Sequence, residues 1–244
     1  VVDRAAKGAL TRQLGRAGRY DVVVECLNKV PFYSPLYSRA PVLALCHHLF
    51  GEVAFRQVPW PVAAVVWSSE RLIPAVYARR PFLAISESSR DDLVRRGIAA
   101  EQVLVSHPGI DRPRTPAQVE SPRDCHVAYV GRLEVYKKVD LLLAAMARLA
   151  ARFPSARITI IGRGPARPRL EALAHELGLA DRTRFTGFVT DAERDALLVQ
   201  ARVCVCPSEK EGWGLTVIEA NATGTPVVAT DADGLRDSVR HGET

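Results

Sequence analysis

The chain has 244 residues, 48% hydrophobic and 25% charged, a composition ordinary for a soluble globular protein with room for one large domain or two modest ones. No apolar run approaches the roughly 18 to 20 residues that cross a bilayer, and Asp3, Arg4 and Lys7 break up the start before a signal-peptide core forms. The formal charge of +6 lies wholly in residues 1–118, which hold 16 Lys/Arg against 10 Asp/Glu, while residues 119–244 balance 17 against 17. A basic half of this kind favours an anionic acceptor or a membrane surface; the plainer alternative is arginine spread over solvated faces.

Taken in chain order, short apolar runs alternate with helix-like stretches, the signature of an α/β fold with parallel sheets. Asp21–Glu25, Val42–Cys46, Phe82–Ile85 and Val103–Val105 read as buried strands, whereas Val62–Trp67 does not, with Pro59 and Pro61 beside it. Ser69–Tyr77 and Ser88–Arg96 read as helices, the second stopping at Gly97. The polar stretch from Asp111 to Arg123 carries three prolines and no apolar periodicity, so residues 112–123 are expected to form a linker between two domains, 1–111 and 124–244. The rhythm then restarts with strand Val127–Val130, helix Asp140–Phe153, strand Arg157–Ile161, helix Ala166–Leu177, strand Arg184–Phe185 and helix Ala192–Ala201. Strand Val203–Cys206, helix Thr216–Ala222 and strand Pro226–Thr230 complete it. Two Rossmann-like, doubly wound parallel-sheet domains facing across a cleft are the expected architecture. The helix-like opening and the abrupt stop at His241–Thr244 suggest a fragment clipped at both ends.

The five cysteines show no CxxC spacing, and all but Cys125 fall in strand-like runs, which fits reduced thiols in the cytosol better than disulfides or zinc. Cys204 and Cys206 are expected to share one strand face as small apolar residues.

Chemistry concentrates after Val203–Cys206, in Pro207-Ser-Glu-Lys-Glu-Gly-Trp-Gly-Leu-Thr-Val-Ile-Glu-Ala220. Here a buried strand runs into a loop with two glycines and a helix starts near Leu215 or Thr216. Its free N–H groups favour phosphate oxygens, and glycine lets a ligand approach the backbone closely. Glu211 in the loop and Glu219 a helical turn in are carboxylates able to accept from a vicinal diol, as a ribose or hexose presents; alone they are equally a solvated loop and helix pair. A second motif, Tyr129-Val-Gly-Arg-Leu-Glu-Val-Tyr-Lys-Lys-Val-Asp-Leu-Leu-Leu143, sets Arg132 and Lys137 at a strand's carboxyl end, where two cations suit a diphosphate leaving group.

The first motif, with its continuation Ala220-Asn-Ala-Thr-Gly-Thr-Pro-Val-Val-Ala-Thr230, resembles the E-x7-E and GTPVVA pattern of the retaining glycosyltransferase family 4, of GT-B fold. The second is similar to that family's GRL-x3-KGVDLL, except that Lys138 replaces the glycine. Gly162-Arg-Gly-Pro165 resembles its G-x-G-P turn, with Arg163 where an acidic residue is usual, and Phe185-Thr-Gly-Phe-Val189 its F-x-G-x-V stretch. In the first half, Pro41-Val-Leu-Ala-Leu-Cys-His-His-Leu-Phe50 looks like the family's strand-end histidine pattern and the match falls on His47; Ala84-Ile-Ser-Glu-Ser-Ser-Arg-Asp-Asp-Leu93 looks like its S-E-S helix start.

The resemblance implies an N-terminal acceptor-binding domain and a C-terminal domain for a nucleoside-diphosphate sugar, with transfer to an acceptor hydroxyl, anomeric configuration retained, and no metal or other cofactor. By match, Glu211 meets the donor sugar and His47 supports the reacting face. Arg132, Lys137 and the helix start at Gly214, Leu215 and Thr216 hold the diphosphate, Glu219 grips the ribose, and the Val189 backbone reads the base. Phe188 is expected in the core. Expected partners are a nucleotide-sugar donor and a carbohydrate, lipid-linked or small-molecule acceptor, with no nucleic acid. Peripheral membrane contact would run through the basic half, for a cytoplasmic protein at the inner membrane face. Two alternatives stay open: Asp231-Ala-Asp233 as the D-x-D site of a metal-dependent transferase, and a protein that binds nucleotide-sugar without turnover.

Overall fold

The computed structural model describes residues 20–28, 30–111 and 125–244. The helix-like opening segment and the proline-bearing linker 112–123 lie outside the described residues. The chain divides into two compact units, Val1–Pro108 and Gly109–Thr244.

In the first unit, strands β1 (Val23–Leu27), β2 (Val42–Cys46), β3 (Phe82–Ala84) and β4 (Val103–Val105) form a parallel sheet in the order β1-β2-β3-β4. Helices α1 (Ala54–Gln57), α2 (Trp60–Arg71), α3 (Ile73–Val76) and α4 (Glu87–Arg95) make the connections. The run Val62–Trp67, set aside as a strand, lies inside α2. Pro59 caps that helix and Pro61 sits in its first turn, where a missing N–H costs nothing, so the two prolines start the helix instead of interrupting it. The single helix expected over Ser69–Tyr77 is instead the end of α2, a break at Leu72, and α3. Pro74 is the cause: it has no N–H to give the carbonyl of Glu70 four residues back.

β1 is the edge strand and is only half covered. Val24 and Cys26 point outward, while Glu25 and Leu27 point inward and are buried. The Glu25 carboxylate is satisfied there by Phe32 N–H at 2.7 Å, Ser34 N–H at 3.0 Å, the Ser34 hydroxyl and the Tyr77 hydroxyl at 2.7 Å. Burial, reinforced by the bond to Glu25, pushes the Tyr77 phenol far above its ordinary range.

In the second unit all five strands run parallel: β5 (His126–Val130), β6 (Arg157–Ile161), β7 (Thr183–Gly187), β8 (Val203–Cys206) and β9 (Val227–Ala229), ordered β7-β6-β5-β8-β9. Helices α5 (Val139–Arg152), α6 (Arg167–Glu176), α7 (Asp191–Gln200), α8 (Leu215–Ala222) and α9 (Leu235–Ser238) complete it. The chain builds outward from β5 to β7, returns through α7, and continues on the other side of β5. The order therefore reverses between β5 and β8, the point where doubly wound sheets open a crevice for ligands. β5 is buried on both faces, with Val127 and Tyr129 in one core cluster and Ala128 in the other. Cys204 and Cys206 do share a face, in the cluster with Ala128 and Val217. Among the described residues, no helix is long and apolar enough to cross a membrane.

Candidate functional site

At the reversal, the loop after β5 meets the loop after β8. Tyr129, buried, bends its hydroxyl under the β5 loop and donates to the Arg132 carbonyl at 3.0 Å. Leu133 is fully buried and pinned from both sides, its N–H on the Arg163 carbonyl at 2.9 Å and its carbonyl accepting from Ala166 N–H at 3.0 Å. Arg132, exposed between these anchors, donates to the Tyr136 hydroxyl at 2.7 Å. A single 3-10 turn, Val135–Lys137, then carries the chain to Lys138, whose φ of +52° is left-handed. That backbone explains why the related motif has glycine here: a side chain at this φ is strained by about 1 kcal/mol.

The two lysines reach across to the β8 loop. Lys137 Nζ contacts a Glu211 carboxylate oxygen directly, and Lys138 Nζ lies 3.0 Å from Glu209. The backbone joins them as well, with Glu209 N–H on the Tyr136 carbonyl at 2.9 Å. Glu211 N–H is held by the Asp233 carbonyl at 3.0 Å, which anchors the far side of the loop. Lys137 is thus the lysine set between the carboxylate loop and Arg132, and Lys138 serves a neighbouring ion pair. Gly214 caps α8 without any side-chain acceptor for the helix's first N–H groups, and the Thr216 hydroxyl lies 3.4 Å from the Val130 carbonyl at the end of β5. Gly214, Leu215 and Thr216 thus start α8 beside the β5 loop.

Glu219 faces a different cation. Arg194 on α7 pairs with it at 3.0 Å and is itself held by Asp195 at 2.9 Å and Asp191 at 3.0 Å. Burial holds the Glu219 carboxyl above its ordinary range, against the lowering pull of Arg194, with Asp195 and Asp191 pushing it further up. Glu211 and Glu219 are therefore not one carboxylate pair; each has its own cation. Arg194 was invisible in the sequence because Thr-Asp-Ala-Glu-Arg-Asp at 190–195 reads as an ordinary capped, solvated helix start, and it does carry a capping box between Thr190 and Glu193.

The G-x-G-P turn has a structural task that spacing alone left open. A Cβ on Gly162 would lie 1.9 Å from the Gly131 carbonyl oxygen, and one on Gly164 2.2 Å from that of Leu133. These glycines let the β6 loop close directly onto the β5 loop that carries Arg132. Beyond it, Gly162 N–H donates to the Gly187 carbonyl at 2.9 Å, joining the β7 loop. Phe188, expected in the core, is instead 70% exposed, and Val189 behind it is half-buried ahead of the α7 cap. Asp231 and Asp233 both pair with Arg236, at 2.8 and 3.6 Å, and no group of three or more His, Cys, Asp or Glu among the described residues is placed to hold a metal ion.

In the first unit, His47 follows β2 and is half-buried, its carbonyl accepting from the Ser89 hydroxyl at 2.8 Å. Ser86 caps α4 beneath it, as the S-E-S pattern suggested. The rest of the loop hangs on Glu70, a fully buried carboxylate that accepts from Phe50 N–H at 2.6 Å and Gly51 N–H at 2.8 Å and pairs with Arg96 at 3.3 Å. Burial raises its pKa, and the two N–H groups and Arg96 oppose that rise. No sequence pattern marked Glu70, because its partners lie some 20 residues away on each side. Glu70→Ala leaves two N–H groups without their acceptor and Arg96 with Asp92 alone, at 3.2 Å, so a loss of about 3 kcal/mol in urea unfolding is expected; a loss below about 1 kcal/mol would mean the N–H groups find water instead.

Comparison with known proteins bears on these arrangements. Residues 111–244 match a family model described as glycosyl transferases group 1. The chain is 35% identical to a D-inositol 3-phosphate glycosyltransferase of Streptomyces bingchenggensis, over 94% of this chain and 55% of that protein. It is also 35% identical to a glycogen synthase of Mycobacterium tuberculosis, over 66% of this chain and 40% of that protein. It therefore spans about half the length of these relatives. Among solved structures it is similar to the Anabaena protein HepE in complex with UDP and glucose, at TM-score 0.78 and 21% identity over 98% of this chain and 66% of that one. It is also similar to sucrose-phosphate synthase from Thermosynechococcus elongatus, at TM-score 0.72 and 26% identity over 95% and 61%.

Proposed function

The chain belongs to the group 1 glycosyl transferases, and we propose that it moves a sugar from a nucleoside-diphosphate donor to an acceptor hydroxyl, the donor being held by the second unit. The observation that carries this reading is the contact between Lys137 and Glu211, which brings a cation and a carboxylate together at the strand reversal beside Arg132 and the open start of α8. A sugar diphosphate needs both kinds of group: cations and N–H donors for the departing phosphates, and a carboxylate for the sugar hydroxyls. In this reading Arg132, Lys137 and the N–H groups at Gly214, Leu215 and Thr216 neutralise charge as the glycosidic bond breaks. Glu211 orients the sugar, Glu219 takes the ribose hydroxyls, and the Val189 backbone meets the base. His47, whose backbone carbonyl accepts from the Ser89 hydroxyl, is assigned by the family match to supporting the reacting sugar.

We further assign retention of configuration, by departure of the diphosphate and attack of the acceptor on the same face, with the diphosphate oxygens accepting the acceptor's proton. The cations and the helix start do the charge neutralisation that a divalent ion performs elsewhere, so turnover is expected to persist in a chelator. The acceptor is taken to be anionic or lipid-linked: the +6 charge lies in residues 1–118, and one relative is named for D-inositol 3-phosphate, an anion. The deciding experiment is a thermal-shift panel of UDP-, GDP- and ADP-sugars on wild type, Arg132→Ala and Glu219→Ala. One donor at 100 times its Kd adds about 2.7 kcal/mol, a shift of several degrees. Both variants should lose most of it, and equal donor stabilisation in all three proteins would refute the assignment.

A further inference from the structure

Arg163 stands between the two glycines of the β6 turn, next to the diphosphate cations: its carbonyl takes the Leu133 N–H, one residue from Arg132. Its guanidinium lies over the ring of Phe188, 5.3 Å from the centroid. The Gly162–Gly187 hydrogen bond ties their two loops together. Phe188 is 70% exposed just past the end of β7, so its ring is open to a planar partner. Arg167, four residues on, is committed to Glu171 at 2.7 Å, whereas no ion pair ties Arg163 to a carboxylate among the described residues. An exposed ring and a planar cation with no carboxylate partner among the described residues therefore sit side by side at the carboxyl end of the sheet, the end at which Arg132 and Lys137 follow β5. β7 stands two strands from β5, roughly 10 Å at about 4.8 Å per strand.

We propose that Arg163 and Phe188 form the base-selecting platform of the donor site, Phe188 as the stacking face and Arg163 as a donor to carbonyl oxygens on the base edge. This rests on the donor reading above, which assigned the base only to the Val189 backbone. A guanidinium has five N–H donors and no acceptor. It suits bases that present carbonyl acceptors, uracil or guanine, and is a poor match for adenine, whose amino group is a donor and which pairs best with an amide side chain. Stacking on Phe188 is indifferent to base identity because every base has a π face. The two side chains thus divide the work, one supplying affinity and the other discrimination.

Calorimetric titration of UDP, GDP, ADP and inorganic pyrophosphate into wild type, Arg163→Ala, Phe188→Leu and Lys137→Ala separates the roles. Wild type should bind UDP or GDP at least about tenfold tighter than ADP. Arg163→Ala should bring that ratio to within about threefold, and Phe188→Leu should weaken all three nucleotides about tenfold while preserving the ratio. Neither should change pyrophosphate binding, whereas Lys137→Ala should weaken every ligand. An unchanged base ratio in Arg163→Ala overturns the inference while leaving the donor site intact. So does a loss of pyrophosphate binding equal to the loss of nucleotide, which would make Arg163 a further phosphate cation. Absence of nucleotide binding in wild type would overturn the donor reading itself.

Discussion

Alanine at position 162 is expected to destabilise the second unit by on the order of 4 kcal/mol. The new Cβ would fall 1.9 Å from the Gly131 carbonyl oxygen and 2.9 Å from its carbon, both backbone atoms, so no side chain can swing away to relieve the clash. The φ of +138° at Gly162 adds a conformational cost that any L residue would bear. Nor can the β5 loop simply retreat. Its N–H at Gly131 is bonded to the Ile161 carbonyl, and Leu133 is buried and bonded on both sides. Gly178→Ala is the control: it has φ +67° but nothing within 4 Å of its Cβ, so it should cost only about 1 kcal/mol. In thermal melts the first variant should drop by roughly 15 °C and the second by a few degrees. Equal, small shifts in both would show that the two loops can part freely. Because the same β5 loop carries Arg132 and Lys137, a folded remnant of Gly162→Ala should also lose pyrophosphate binding.

This coupling of fold and site shows how much the sequence could convey. Periodicity and turn residues located every strand of the second unit, since each is a short run ending at a glycine or polar turn, although burial on both faces belongs to β5 at the centre and not to the edge strands β7 and β9. The motif glycines were legible as turns but not as contacts, because the atoms they make room for, at Gly131 and Leu133, lie about 30 residues earlier in the chain. Nonlocal partnering defeated the other readings too. Glu25 looked like the end of a buried apolar strand, yet it is the inward residue of a half-covered one, satisfied by donors from residues 32, 34 and 77. Phe188 looked like core by residue type, while the positive φ of Gly187 turns the chain out at that point. Of the matched site residues, Lys137 and Glu211 are brought together and Arg132 stands on the same loop as Lys137. Glu219 turned out to belong with Arg194, a residue with no motif to mark it.

Removing the two ends of the Lys137–Glu211 contact should have opposite effects on a nucleoside diphosphate and similar effects on turnover. The side chains are 13% and 22% exposed, so the pair is only partly screened by water and each charge depends on the other. In the proposed complex the diphosphate competes with Glu211 for Lys137. Lys137→Ala takes away the phosphate's cation and leaves Glu211 as a like charge beside it, so nucleoside-diphosphate affinity should fall about a hundredfold, equivalent to 2–3 kcal/mol. Glu211→Ala releases Lys137 to the phosphates, and the same nucleotide should bind as tightly as to wild type or several-fold tighter. The sugar-bearing donor loses its hydroxyl acceptor in that variant, so kcat should fall about 10²- to 10³-fold even though the diphosphate is held well. The double variant should bind the nucleotide more tightly than Lys137→Ala but less tightly than wild type, since with the lysine gone the carboxylate contributes only repulsion, and the two single effects should not add. Calorimetry on the nucleotide and steady-state rates on the sugar donor read the two sides separately. If Glu211→Ala weakened the bare nucleotide as much as Lys137→Ala does, Glu211 would be acting on the phosphates through the lysine's position and not on the sugar.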